Sequence, residues 1–256
     1  MIIRKMFFST VLIFIVFSSI AQTEKTKNGH FVIRYDKNVE AYALASATIL
    51  NFVWDKLKEL DFKPPKKVDL FLVKSDRNTL GIHTVKKYII LQYTALDPSI
   101  TGANYVYGFC HEMGHLCMSN ITPNDDNWMT QAYREGWAHV FGEIMSVLLH
   151  EKYGVDVWST PYDYLELNNR NTAKRAQSIE TSENVSDMFI SELFWRKLVD
   201  EKGMGKIPFF FRQIKSNKVM PPDADKKFRA ELVKLNVSGN LLYYFDQNKQ
   251  HLIKLQ

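Results

Sequence analysis

The chain has 256 residues, of which 46% are hydrophobic and 24% charged, and it carries 33 Lys and Arg against 28 Asp and Glu. These fractions are typical of a globular protein and exclude a disordered, collagen-like or multi-span membrane chain. The length supports one sizeable core or two small ones. Only two Cys are present, Cys110 and Cys117, and they cannot build a disulfide framework. At i and i+7 on one helix they are too far apart to pair, so we expect free buried thiols.

Residues 1–21 have the features of a secretory signal peptide. Arg4 and Lys5 precede a mostly apolar run of about 12 residues, and Ser19-Ile20-Ala21 provides a small-x-small cleavage signal. A transmembrane anchor needs about 20 apolar residues, so we expect cleavage and no stable membrane insertion of residues 22–256. The mature protein is therefore predicted to be secreted, in a periplasmic or extracellular compartment.

The rest of the chain, in order, has strands in its first part and helices in its second. Alternating or β-branched runs predict strands at 30–35, 68–73 and 85–94, and apolar residues at helical spacing predict a helix at 39–60. Helices are then predicted at 103–119, 129–152, 184–202, 206–216 and 223–236. This order indicates an α+β fold, with an α/β part at 22–120 and a helical part at 121–256 of a single unit.

The sequence His111-Glu112-Met113-Gly114-His115 has the form H-E-x-x-H within the helix predicted at 103–119. Side chains at i and i+4 of a helix stand about 40° apart on one face, so both imidazoles can reach one metal ion. Glu112 is rotated by about 100° from His111, close enough to reach a water molecule at the metal without being a ligand. Apolar neighbours lie on the opposite face, so we expect the His pair to line a cleft: Phe109, Met113, Leu116 and Cys117.

A third metal ligand is predicted on the next helix, at 129–152. Nineteen residues separate His115 from Glu135. Apolar residues at helical spacing predict one buried face of this helix, while Glu135, His139 and Glu143 share the other face. A catalytic zinc site takes three protein ligands and keeps one open position, and two His with one Glu is a known set. We therefore predict Zn²⁺ bound by His111, His115 and Glu135.

This motif, followed after 19 residues by Glu135, resembles the gluzincin zinc metallopeptidases, which have a thermolysin-type zinc site. The stretch Arg134-Glu135-Gly136-Trp137-Ala138 looks closer to the smaller peptidase-MA-like gluzincins, in which an E-G-x-A string follows the H-E-x-x-H helix. The specific part of the resemblance spans residues 85–145. It implies a zincin-like fold, a single zinc ion and hydrolysis of peptide bonds in a peptide or protein substrate.

The resemblance also implies roles for individual side chains. Glu112 would be the catalytic general base, taking a proton from the attacking water and passing it to the leaving amine. A donor for the oxyanion is also required, and no spacing singles out one of the candidates Tyr153, Tyr162, Tyr164 and His150. His139 stands where thermolysin-like enzymes tend to have an acidic residue. It is either a hydrogen-bond partner of a ligand or a surface residue.

Two other functional classes are alternatives to a peptidase. A catalytically inactive zincin-like module that binds a partner outside the cytoplasm is the alternative hypothesis, since no oxyanion donor is assigned. Nucleic-acid binding is not expected, because residues 22–256 contain no recognition motif and no Lys/Arg run longer than pairs such as Lys66-Lys67. Arg4 and Lys5, which lie in the predicted signal peptide, also account for part of the excess of positive over negative side chains.

Overall fold

A computed structural model describes residues 24–74, 81–85, 88–93, 103–121, 131–155, 186–216 and 223–252. The predicted signal peptide at 1–21 lies outside them. Contacts divide the chain into two compact units. The first contains the described residues of Met1–Asn51 and Lys66–Ile100, and the second those of Phe52–Pro65 and Thr101–Gln256. Strands in the first unit and helices in the second make the protein α+β, as the sequence predicts.

The first unit contains a five-stranded mixed sheet in the order β1-β2-β3-β5-β4. Strands β2, β3 and β5 run parallel to one another, while β1 and β4 pair antiparallel at the two edges. The strands are β1 Glu24–Asn28, β2 Phe31–Tyr35, β3 Val68–Lys74, β4 Gly81–Val85 and β5 Tyr88–Tyr93. The three predicted strands are therefore confirmed and form the centre of the sheet.

The two edge strands were not predicted, and their sequences explain why. Strand β1 reads EKTKN and has no apolar alternation, and its lysines are typical of an edge that resists pairing with another chain. It pairs with β2 through a two-residue hairpin turn in which Gly29 adopts a φ of 59°. By contrast, β2 alternates buried and half-buried residues, and Phe31, Ile33 and Tyr35 are buried.

Helix α1, Glu40–Glu59, follows a short 3-10 turn at Lys37–Val39 and contributes residues to both units. In the first unit it buries Ala43, Ala47 and Leu50. Its end is marked by Asp61, which adopts a left-handed φ of 62°, and by the hydrogen bond from Phe62 N to Leu57 O. The helix predicted at 39–60 is therefore confirmed.

The second unit is helical. Its further helices are α2 Ala103–Ile121, α3 Gln131–Tyr153, α4 Ser186–Lys202, α5 Ile207–Ser216, α6 Ala224–Lys234 and α7 Gly239–Leu252, with a 3-10 turn at Met204–Lys206 before α5. The five predicted helices of this part are found within a few residues of their predicted bounds. Helix α7 was not predicted, although Ser238 is a recognisable cap whose hydroxyl accepts a hydrogen bond from Leu241 N.

Aromatic residues fill the core of the second unit. Ring centroids 4.5–5.6 Å apart join Tyr133 to Trp195 and Phe228, and Phe194 to Phe228. Such contacts add to the free energy that burial alone provides. Phe210 and Phe211 of α5 are also buried in this core. Among the helices that the structure describes, each is too short or too polar to cross a membrane.

Candidate metal site

The site is built where α2 packs against α3, and small residues allow the two backbones to approach closely. A Cβ atom at Gly142 would lie 3.1 Å from His111 N, and one at Gly114 would lie 3.1 Å from the Ala138 Cα atom. The Trp137 indole N–H also donates a hydrogen bond to Gly114 O at 3.2 Å. Because these positions lack larger side chains, the faces that carry histidine and glutamate come within bonding distance of one metal ion.

Three side-chain atoms converge between the helices. His111 Nε2 and His115 Nε2 lie 3.1 Å apart, as expected for two imidazoles one helical turn apart. Glu135 Oε2 on α3 lies 3.3 Å from the first and 3.4 Å from the second. The structure therefore brings together the three residues that the sequence predicted as ligands.

The size of this triangle fits a tetrahedral metal. Zinc bonds to imidazole nitrogen and carboxylate oxygen are about 2.0–2.1 Å, so tetrahedral angles require ligand atoms about 3.3–3.4 Å apart. The three observed separations, 3.1, 3.3 and 3.4 Å, lie at or near that spacing. A group of His and Glu side chains close enough to hold a metal ion is thus present in this unit.

The electrostatics of Glu135 also suit a cation. Partial burial raises the pKa of its carboxyl, but the hydrogen bonds and charges of His111 and His115 outweigh burial and bring the pKa well below its usual range. Its side chain is 28% exposed, against 13% for His111 and 21% for His115. The group is therefore anionic at neutral pH and remains accessible from solvent.

Glu112, the predicted general base, lies beside His111 on α2. Glu112 is buried, with a relative exposure of 6%. A buried carboxylate suits a residue that exchanges a proton in a restricted space. Its catalytic role stays a prediction.

His139 lies at the edge of the same group. It is one turn after Glu135 on α3, and a ligand atom of its ring lies within 4.8 Å of those of His111 and Glu135. Its ring contacts the His111 ring edge-on, with centroids 4.8 Å apart. Two groups of three possible ligands therefore share His111 and Glu135. The third member is His115 in one group and His139 in the other. We take His115 as the third primary ligand, because its distances match tetrahedral spacing.

Tyr107 is a site residue that sequence reasoning missed. Its hydroxyl shares a hydrogen bond with His139 Nδ1, and its ring lies 5.9 Å from those of His111 and His139. The available signal was spacing, because Tyr107, His111 and His115 recur every four residues and share one helix face. His139 itself is half-buried and bonded, so it is not a plain surface residue.

The residues considered as oxyanion donors do not gather at this site in the described structure. His150 donates a hydrogen bond from Nδ1 to Val155 O, and Tyr153 is 47% exposed with its ring against Phe52. Tyr162 and Tyr164 lie outside the described residues. The oxyanion donor is therefore not assigned to His150 or Tyr153.

Glu143 is buried, although the sequence places it on the face of α3 opposite the predicted buried face. Glu143 is 4% exposed and forms an ion pair with Arg196 of α4, which also lies 3.6 Å from Glu192. Burial raises the pKa of Glu143 to about 8, helped by Glu192 and opposed by Arg196. The pattern missed this because α3 packs between α2 and α4 and is buried on both sides, as Gly142 and Ser146 also show.

The cysteines are free and buried, as predicted. Burial raises the pKa of both thiols, so neither is a thiolate at neutral pH. Cys117 Sγ–H donates to Gly114 O at 3.1 Å, within the contact between α2 and α3. Both residues therefore serve packing.

Neither the protein-family profiles nor the curated proteins compared with this chain give a match. Among solved structures, the chain is similar to the crystal structure of a mutant of a functionally unknown conserved protein from Bacillus anthracis strain Ames. Sequence identity is 13% and the TM-score is 0.52, over 88% of this chain and 48% of the other. The chain thus spans about half the length of that protein, and the likeness concerns the fold alone.

Proposed function

We propose that the chain is a zinc-dependent peptidase of the gluzincin type, with a zincin-like fold, acting outside the cytoplasm on a peptide or protein. One observation carries the proposal, the convergence of His111 Nε2, His115 Nε2 and Glu135 Oε2 at 3.1–3.4 Å. Two imidazole nitrogens and one carboxylate oxygen, partly open to solvent, form a donor set typical of hydrolytic zinc.

His111, His115 and Glu135 would hold the zinc ion, which would supply a Lewis acid for a substrate carbonyl and lower the pKa of a water molecule toward neutrality. The carboxylate of Glu112 takes one proton as the water oxygen bonds to the carbonyl carbon. The same carboxyl then gives that proton to the amide nitrogen as the carbon–nitrogen bond breaks. One water is consumed, and Glu112 ends the cycle ionised, as it began.

The test compares zinc content with turnover in matched variants. We expect the wild-type chain to bind one zinc ion and to cleave members of a quenched-fluorescent peptide library. Glu112→Gln keeps the side-chain volume but cannot take the proton, so turnover should fall by about 100-fold or more while zinc stays bound. The control is Glu151→Gln, an exposed glutamate near the end of α3.

A wild-type chain without bound zinc under metal-replete conditions contradicts the proposal. So does a Glu112→Gln variant that cleaves as fast as the control.

The second candidate is an inactive zincin-like binding module, and the position of His139 favours it. A further imidazole beside the metal group could fill the position that a substrate needs. This candidate predicts bound zinc and retained peptide binding without cleavage anywhere in the library. Cleavage that depends on Glu112 rules it out.

A further inference from the structure

We propose that His139 is the hydrogen-bond donor for an oxyanion at the open position of the metal site, and that the Tyr107 hydroxyl fixes its ring for this role. A peptide carbonyl oxygen gains negative charge there when water adds to the carbonyl carbon. The inference rests on the proposed function, because it needs a metal site that keeps one position open. It assigns the oxyanion donor for which sequence spacing singles out no residue. The imidazole keeps its proton throughout, so no bond forms or breaks at His139.

The first support is the face of the two helices on which His139 lies. His139 follows Glu135 by one turn of α3, and Tyr107 precedes His111 by one turn of α2. These four residues are half-buried, whereas residues 136–138, between the two on α3, are buried. His139 therefore shares the partly open face of the metal group and is not part of the core.

The second support is distance. A ring nitrogen of His139 lies within 4.8 Å of the ligand atoms of His111 and Glu135, in a group of three that leaves out His115. His139 thus does not complete a set of four ligands. An oxygen at the open tetrahedral position would lie about 3.3–3.4 Å from each ligand atom, and its hydrogen-bond donor about 2.7–3.1 Å further on. An imidazole at the observed distance can therefore reach that oxygen without occupying a position on the metal.

The third support is a hydrogen bond that sets which ring nitrogen carries the proton. Tyr107 Oη and His139 Nδ1 share a hydrogen bond. When the phenolic O–H donates to Nδ1, the neutral imidazole carries its hydrogen on Nε2 and can donate from there. The His139 ring also meets the His111 ring edge-on, with centroids 4.8 Å apart. A donor held in this way before the substrate arrives needs little reorganisation during the reaction.

The first experiment measures anion binding, not activity. The Co²⁺-substituted full chain is titrated with inorganic phosphate, a tetrahedral oxyanion, and the visible absorption of Co²⁺ reports binding. Ethanethiol is the matched ligand, because its sulfur binds the metal but accepts hydrogen bonds only weakly. His139→Phe keeps an aromatic ring without a nitrogen, so phosphate binding should weaken by about 10- to 100-fold. Ethanethiol binding, and zinc affinity measured by competition with a chromogenic chelator, should stay unchanged.

Further variants separate the donor from the ring that carries it. His139→Gln retains an N–H group on a side chain of similar reach, so phosphate binding should recover in part. Tyr107→Phe removes only the hydroxyl that orients His139, and should weaken phosphate binding by about 10-fold. Tyr243→Phe, at a tyrosine 68% exposed on α7, is the control for that change. His30→Phe, in the turn between β1 and β2, is the control for losing an imidazole.

The second experiment separates turnover from substrate binding. With a library peptide that the wild-type chain cleaves, His139→Phe should lower kcat by about 100-fold and leave KM nearly unchanged, because the hydrogen bond strengthens as the oxygen becomes charged. Tyr107→Phe should lower kcat by about 10-fold, again with little change in KM. A merely structural role of His139 would lower the amount of folded protein and would not favour thiol over phosphate.

The outcomes separate this inference from the proposed function. If His139→Phe binds phosphate as well as the His30→Phe control does, the inference is wrong, while cleavage that depends on Glu112 still supports the peptidase. A loss of zinc affinity in His139→Phe would make His139 a metal ligand and would also overturn the inference. Should His139→Phe fail to fold, as judged by circular dichroism, the smaller His139→Leu carries the same test.

Two further outcomes concern both proposals. The expected effects on phosphate binding without cleavage of any library peptide support His139 as the oxyanion donor and contradict the peptidase. A wild-type chain that binds no metal contradicts both.

Discussion

Helix α3 carries two glutamates, two turns apart, that illustrate opposite uses of one residue type. Glu135 has a side chain that is 28% exposed between two imidazoles, which lower its pKa. Glu143 has a side chain only 6% exposed and shares the guanidinium of Arg196 with Glu192. Its pKa is raised to about 8.

The partner decides what each carboxylate can do. The two imidazoles and the carboxylate of Glu135 can all donate lone pairs to one cation. A bound metal ion would therefore hold these three groups together. A guanidinium has no lone pair to offer and already supplies the positive charge, so Glu143 is committed to Arg196. The first glutamate therefore belongs to the proposed metal site, and the second joins α3 to α4.

The largest effect is expected from removing the guanidinium of Arg196, which lies in a buried cluster with Glu143 and Glu192. Above about pH 8, where Glu143 is ionised, Arg196→Met leaves Glu143 and Glu192 buried without a counter-charge, so the free energy of unfolding should fall by about 3–5 kcal/mol. Urea denaturation followed by circular dichroism measures it. Arg229→Met breaks an exposed pair with Asp246, and should cost less than about 1 kcal/mol. Equal effects of the two variants would mean that burial of the cluster contributes nothing.

The next effect concerns the candidate metal site of His111, His115 and Glu135, and it is a change in stability when metal is added. If zinc binds the folded chain as proposed, free zinc at about 100 times its dissociation constant should raise the free energy of unfolding by about 2.7 kcal/mol. His115→Ala should lose most of this gain, whereas Glu143→Gln should keep it. The measurement is denaturation with buffered zinc and with chelator. A gain that survives in His115→Ala would place the metal elsewhere.

The last effect, and the smallest per pH unit, is a pH dependence that comes from Glu143. An ordinary glutamate has a pKa of 4.5, so between about pH 5 and 8 the folded chain keeps a proton that the unfolded chain releases. Stability should therefore fall as pH rises through this window, by up to about 1.4 kcal/mol per pH unit. Glu143→Gln should remove this slope, and Glu151→Gln should keep it. Parallel pH profiles for wild type and Glu143→Gln would exclude the raised pKa.

Much of this fold follows from local patterns in the sequence. In helices α1 to α6 and in strands β2, β3 and β5, apolar residues recur at the spacing of the side that is buried. The spacing alone therefore predicted these elements. The HEMGH motif and Glu135 were predictable for a similar reason. Helical geometry places the two histidines on one face, and the chemistry of zinc requires one further ligand.

The remaining features depend on contacts between distant residues. Glu143 looks like a surface residue until Arg196, 53 positions later, is placed against it. Tyr107 and His139 are 32 positions apart and meet only because Gly142 lets α2 and α3 approach. No local pattern encodes such pairings, because they arise from how helices pack.

The contacts of Phe62 have a consequence for synthesis of the chain. This residue is 2% exposed in the second unit, and its ring packs on Trp137 and Phe141. Trp137 is added 75 positions later, which at about 5–20 residues per second takes roughly 4–15 seconds of translation. During that interval Phe62 lacks its partners on the growing polypeptide. The aromatic core of the helical unit is therefore completed late, after the ribosome has delivered α3.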